Sequence, residues 1–190
     1  MVQLIELFTK YIRWKILAQF LSHPNSSFYV KEIARSLEVS PGSVSTALKF
    51  FEEGGLLTKE EKGQTHLYKL NLEHAFVPPL KKAYGLALVL SSKPAEKFLD
   101  VDEDIISIAL FGSYSDGSFD EMSDVDVLIV APSKKEEVIE AARRLEDETG
   151  RKVSVSLFKL SDWRAMARRE DAFYKRVVEN HLILHGSGLR

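Results

Sequence analysis

The chain of 190 residues contains no cysteine. Disulfides, thiolate zinc sites and cysteine nucleophiles are excluded with it. Long apolar runs are missing as well. Leu86 to Leu90 and Val127 to Ala131 are among the longest, far short of the ~20 residues that cross a bilayer, so no membrane partner is expected. Glu6 interrupts the first apolar stretch and no basic leader precedes it. No export signal is read, and a cytoplasmic setting is the expectation. An excess of one charge is absent too: 26 Lys and Arg stand against 28 Asp and Glu, giving a net charge of −2 and a pI near 6.2. Bulk charge therefore does not attract nucleic acid, and any such contact has to come from local placement. What is present is 45% hydrophobic and 28% charged residues, the balance of a folded globular chain.

The charge divides along the chain. Residues 1–75 hold 9 Lys/Arg and 8 Asp/Glu, and residues 76–190 hold 17 and 20. In the first part Leu4, Leu7, Phe8, Tyr11, Ile12, Leu17, Phe20 and Leu21 recur at helical spacing. The pattern predicts a helix over residues 3–21, ended near Ser22-His23-Pro24. Phe28-Tyr29-Val30 reads as a short strand or a helix entry, and Lys31 to Leu37 as a short helix. Ser40 caps the next helix and Pro41 opens it. That helix runs to about Glu53, buries Val44, Leu48 and Phe51, and stops at Gly54-Gly55. Leu56 to Lys59 and His66 to Leu70 read as two strands joined by the polar segment from Glu60 to Thr65.

Three helices followed by a hairpin, in particular Tyr29-Val30-Lys31-Glu32-Ile33-Ala34 through Gly55-Leu56-Leu57, resemble the winged helix-turn-helix family over residues 3–70. The resemblance implies a helix whose outer face enters a major groove while the hairpin touches the flanking backbone. Gly42, Ser43, Ser45, Thr46 and Lys49 face outward on helix 41–53. Of these Ser43, Ser45, Thr46 and Lys49, together with Lys62 of the hairpin, are the candidate contacts to double-stranded DNA; Lys59, His66 and Lys69 add to the hairpin. Glu52, Glu53, Glu60 and Glu61 oppose DNA, and such domains also serve as dimerisation or protein-docking modules.

Leu72 to Ser92 connects the two parts. Pro78-Pro79 precede a helix from Leu80 to Leu90 with a wide apolar surface, read as interdomain packing or as the seam of a homodimer. The domain boundaries read are 1–72, a linker helix at 73–94, and 95–190. Ala95 to Leu99 is a further helical turn. Ile105 to Phe111 reads as a buried strand running into Gly112-Ser113. A polar loop leads to a second strand, Ser123-Asp124-Val125-Asp126-Val127-Leu128-Ile129-Val130. Ser133 with Glu136 forms a capping box for a helix over about 134–149. Val153 to Phe158 is a third strand, Ser161 caps helix through about Glu179, and Leu182 to His185 is a short last strand.

Asp124 and Asp126, two apart on a strand, point to one face ~7 Å apart. Two carboxylates that close repel, and a divalent cation relieves them. Magnesium takes oxygen ligands of this kind and completes its shell with substrate phosphates. Gly112 lets a backbone approach phosphate, and Ser113 offers a hydroxyl and an amide. Gly112-Ser113-Tyr114-Ser115-Asp116-Gly117 through Ser123-Asp124-Val125-Asp126-Val127-Leu128-Ile129-Val130 resembles the nucleotidyltransferase superfamily typified by DNA polymerase beta, in its minimal single-domain branch, over about residues 95–187. The segment from Phe173 through Gly186 looks like the end of that branch.

The resemblance implies an α+β fold with a mixed sheet and flanking helices, a nucleoside triphosphate held with Mg2+, and nucleotidyl transfer. Asp124 and Asp126 would be catalytic and metal-binding, and Gly112 and Ser113 nucleotide-binding. In that branch acceptors include partner proteins, among them toxins. The family sets a third carboxylate on the next strand. In Lys152-Val153-Ser154-Val155-Ser156-Leu157-Phe158 that position is read as Ser156, with Ser154 one pleat away; serine is a poor magnesium ligand and no base at neutral pH. Asp116, Asp120 or Glu121 in the loop would have to substitute. The alternative reading is a DNA-binding transcriptional regulator whose degenerate second domain senses a nucleotide or mediates assembly. Arg164, Arg168 and Arg169 read as a solvated face, Trp163 as a packing residue, and the histidines as surface or packing residues.

Overall fold

Tyr11 divides the N-terminal helix that the apolar spacing predicts. In the computed structural model, which describes residues 3–63, 65–132 and 135–189, helix α1 (Glu6–Thr9) and helix α2 (Ile12–Ser22) are separated by the extended backbone of Tyr11 (φ −104°, ψ 139°). The break lets Phe8 turn inward. Its ring, 7% exposed, meets Trp14 and Tyr84 edge-on at 5.7 and 5.4 Å, a favourable aromatic geometry. Periodicity alone continues the helix; the aromatic contact interrupts it.

The chain divides into two units, Met1–Ala87 and Leu88–Arg190. In the first, β1 (Ser27–Tyr29) leads directly into α3 (Val30–Ser36), followed by α4 (Pro41–Glu53), β2 (Leu57–Lys62) and β3 (Thr65–Leu70). The three strands form an antiparallel sheet in the order β1-β3-β2. Ser40 Oγ accepts the Ser43 amide at 3.1 Å and Pro41 opens α4, as the sequence indicates. Its buried stripe is Val44, Ala47, Leu48 and Phe51. These close on Ile16, Leu17, Phe20, Leu21 and Ile33, all essentially buried, each side chain contributing roughly 1.5–3 kcal/mol by burial. The hairpin strands are longer than read: the ladder continues to Lys62 opposite Thr65. Gln64, part of the segment read as the turn, lies outside the described residues. Helix α5 (Val77–Ser91) includes Pro78 and Pro79 rather than following them, since amides in a first turn have no intrahelical acceptor to lose.

The second unit contains α6 (Pro94–Leu99), β4 (Ser107–Phe111), α7 (Ser113–Asp116), β5 (Val125–Val130), α8 (Lys135–Thr149), β6 (Val153–Phe158), α9 (Leu160–Arg168), α10 (Ala172–Glu179) and β7 (His181–Gly186). Its sheet has the order β6-β5-β4-β7. Only β5 and β6 are parallel, joined through α8; the other pairs are antiparallel. The molecule is α+β with a mixed sheet, as expected. Ala109, Phe111, Leu128 and Val130 on one face pack with Trp163, Val177 and Leu189, while α8 buries Val138, Ala141, Ala142 and Leu145 and packs on β6.

Two expectations about helix ends change. Ser161 is not a cap: α9 begins at Leu160, and Ser161 Oγ donates to Asp162 Oδ1 at 3.3 Å. The helix also stops at Arg168 and restarts at Ala172. Glu170 there adopts φ +53°, and Asp171 caps α10 by accepting the Phe173 amide at 2.8 Å. The capping box read at Ser133 and the Glu136 side chain lies outside the described residues. Among the described residues no helix is long and apolar enough to cross a membrane.

Candidate functional site

The site of interest lies where β4 ends and β5 begins. All five residues of β4 are buried, and at Gly112 the chain leaves the sheet with φ +67° and ψ −157°, a region open essentially to glycine alone. Register adds a second demand. Phe111 pairs with Asp126, and a β-carbon on Gly112 would overlap Asp126 Oδ2 and lie 3.1 Å from its Cγ. The absent side chain is therefore the space the carboxylate fills. Ser115 pins the bend, its Oγ donating to Gly112 O at 2.7 Å and Asn180 O at 3.2 Å. Tyr114 and Phe119, both fully buried, stack at 4.4 Å and 7° to hold the following loop.

Asp124 and Asp126 are each half-buried, as are Gly112 and Ser113. Burial, and then the Asp124 charge, push the Asp126 carboxyl above its ordinary value; Arg176 and Lys152 pull the other way. Asp124 is held by Lys152, whose Nζ lies 3.0 Å from Oδ2, and this partner raises the lysine in turn. Two cationic side chains thus flank the carboxylate pair, Lys152 from the start of β6 and Arg176 from α10. Sequence reading passed over both. Register places Lys152: Val125 pairs with Val153, so the residues one step earlier, Asp124 and Lys152, stand side by side. Arg176 had no local signal, because only packing of α10 on the sheet brings it near.

The same register shows which serine stands beside the aspartates. Ser154, not Ser156, pairs with Asp126; Ser156 pairs with Leu128, one pleat farther on. The two serines share a face and lie ~7 Å apart along the strand. Two of the loop acids are engaged locally. Asp116 Oδ1 accepts the Ser118 amide at 2.7 Å, and Asp120 Oδ1 accepts the Met122 amide at 3.0 Å and Ser123 Oγ at 2.9 Å, so both serve local turns. Among the described residues no group of three or more His, Asp or Glu forms a metal site. The donor set is two carboxylates beside a glycine bend. Magnesium held by one or two carboxylates and substrate phosphates fits such a set, and the mutual repulsion at Asp126 is what a cation would relieve.

The candidate nucleic-acid residues of α4 lie off its buried stripe. Ser45, Thr46 and Lys49 are exposed and Ser43 is half-buried. Thr46 Oγ1 donates to Gly42 O at 3.0 Å, Ser43 Oγ lies 2.8 Å from Ser40 Oγ, and Lys49 Nζ is 3.7 Å from Glu53. Lys62 is exposed at the end of β2. Lys59 of the same strand bridges to Glu52 of α4 at 3.3 Å, which ties hairpin to helix. Trp163 is a packing residue, 4% exposed, its indole donating to Leu189 O at 2.9 Å.

Residues 93–185 match the family model described as a nucleotidyltransferase domain. Several solved structures align with about half of the chain. A toxin–antitoxin structure with AMP-PNP is 25% identical over 50% of this chain and 73% of its own, with a TM-score of 0.38. A tri-AMPylated Shewanella oneidensis HEPN toxin in complex with MNT antitoxin gives 22% identity over 50% and 68%, with a TM-score of 0.33. A possible transcriptional regulator from Methanosarcina mazei Go1 gives 13% over 53% and 86%, with a TM-score of 0.33. No curated protein matches the chain. The segment that contains Gly112, Asp124 and Asp126 is thus similar, over residues 93–185, to the nucleotidyltransferase domain of that family model.

Proposed function

We propose that the second unit binds a nucleoside triphosphate with magnesium, Asp124 and Asp126 holding the cation and Gly112 and Ser113 receiving the phosphates, and that nucleotidyl transfer by the natural chain is slow. The observation that carries this reading is the fit between Gly112 and Asp126: a backbone only glycine adopts, with the carboxylate in the space a side chain would take. When bound, the cation would neutralise phosphate charge. In transfer an acceptor hydroxyl attacks the α-phosphorus, pyrophosphate leaves, and the hydroxyl proton needs a base. Ser154, opposite Asp126, does not take it at neutral pH.

The test is incubation of the full chain with labelled triphosphates and candidate acceptors, partner proteins included, beside Ser154→Asp. Restoring a base at that position is expected to raise labelling by about 10²-fold or more. Equal labelling by both proteins would mean that position 154 does not limit transfer. No labelling by either, with intact nucleotide binding, favours the second reading, a regulator whose nucleotidyltransferase-like domain senses the nucleotide.

We further infer that the first unit is a winged helix that docks on duplex DNA through α4. Support comes from the exposed Ser45, Thr46 and Lys49, and from the Lys59–Glu52 bridge, which sets hairpin against helix. Lys49→Glu is expected to weaken DNA binding about tenfold and to lower the slope of log affinity against log salt by about one. An unchanged slope in a fluorescence-anisotropy titration would argue against groove insertion.

A further inference from the structure

Resting on the metal–triphosphate reading above, we propose that Lys152 is a built-in counter-cation of the site, which holds Asp124 against free divalent ions and passes to the phosphates when a cation arrives already bound to a triphosphate. Three observations carry this. The first is the bond itself: Lys152 Nζ stands 3.0 Å from Asp124 Oδ2, a charge-assisted hydrogen bond with the very carboxylate that would ligate a metal. The second is its mounting. The Val125 amide donates to Lys152 O at 2.8 Å, and β5 and β6 are in parallel register from Val125 and Val153 onward. The lysine backbone is therefore fixed beside Asp124, while its side chain is 73% exposed and has solvent around its stem. The third is the neutral Ser154 across from Asp126.

These features set the charge of the site. Two carboxylates meet one ammonium and the Arg176 guanidinium, and Glu146 adds negative charge beside Lys152. An aspartate in place of Ser154 would make the site more negative and draw a bare dication in more strongly. Here a bare dication has to displace Lys152 and break its bond to Asp124. A metal–triphosphate complex meets a different balance, because its phosphate oxygens bring negative charge of their own. Lysine suits such a transfer: its ammonium is a compact point charge on a flexible stem, and it binds phosphate as readily as carboxylate. Metal entry thereby depends on the nucleotide, and Lys152 acts as a positioning and selectivity residue.

The experiment is calorimetry on the full chain with two base-independent probes, Mn2+ alone and preformed Mn2+–inorganic triphosphate, for wild type, Lys152→Met and Lys152→Arg. The pair is largely exposed, so severalfold changes are expected rather than orders of magnitude. Lys152→Met should bind Mn2+ alone about three- to fivefold tighter and Mn2+–triphosphate about three- to fivefold more weakly, while Lys152→Arg stays within about twofold of wild type for both. Opposite signs for the two probes are what a merely structural lysine would not produce. If Lys152→Met binds Mn2+ alone no tighter than wild type while both bind the complex, the proposal is overturned and the metal–triphosphate reading stands. If no protein binds the complex, both fall together.

Discussion

Gly112→Ala should cost the protein both its stability and its site. The φ of +67° with ψ −157° strains any other residue by about 1–3 kcal/mol. In a unit of about a hundred residues that lowers Tm by roughly 10 °C. The added β-carbon would also overlap the Asp126 carboxylate. The Asp126 Cγ and Cβ would stand only 3.1 and 3.3 Å from it, so the whole short side chain has to rotate away. Metal-dependent triphosphate binding should then fall by more than tenfold, since one of two ligands has left. Thermal denaturation followed by circular dichroism, with calorimetry below Tm, reads both effects. Unchanged binding in a folded Gly112→Ala protein would show that the placement of Asp126 is not what the site requires.

Asp126→Asn is expected to act in opposite directions on binding and on stability. Together with Asp124→Asn it should abolish magnesium-dependent nucleotide binding. Alone it should stabilise the unliganded protein at neutral pH. The Asp126 carboxyl is raised in the folded state by burial and by Asp124, so ionising it costs more in the native chain than in the unfolded one. Well below its ordinary value near 4, the carboxyl is protonated in both states and the cost is absent. It appears as the pH rises through the raised value, and the native protein loses stability there. The amide removes the cost. The difference in Tm between variant and wild type should therefore be near zero below about pH 3 and positive at pH 7, kept small because Arg176 and Lys152 already offset part of the repulsion. A destabilised Asn variant at pH 7 would mean that Asp126 is held by favourable contacts rather than poised for a cation. A gain in stability with loss of binding is the mark of a group placed for a ligand at the expense of the fold.

Local chemistry made much of the molecule legible. Ser40 and Pro41 start α4 because a hydroxyl acceptor and a residue without an amide both suit a first turn. The stripe of Val44, Leu48 and Phe51 was readable because its spacing matches a helical period. The strand reaching Phe111, the bend at Gly112 and the aspartate pair could be seen for the same reason: each is a pattern within a few residues. Failures came where distant residues compete with a local pattern. Tyr11 interrupts an unbroken helical period because Phe8 finds Trp14 and Tyr84. Glu170 and Asp171 divide the helix read from Ser161 to about Glu179, and there the missed signal, the Asp171 cap, is itself local.

The candidate site separates the two levels most clearly. From its sequence alone the chain declared a glycine-serine bend, two acids two residues apart, and serines where a third acid was expected, since residue type and spacing need no partner to be read. Tertiary structure decided which serine faces the acids, and which cations stand beside them. Strand register sets Ser154 rather than Ser156 opposite Asp126, and it seats Lys152 against Asp124. Packing of α10 brings in Arg176. Register and packing are relations between segments far apart in the chain. A shift of two residues leaves every inward and outward position as it was, so no periodicity in a single strand can reveal it.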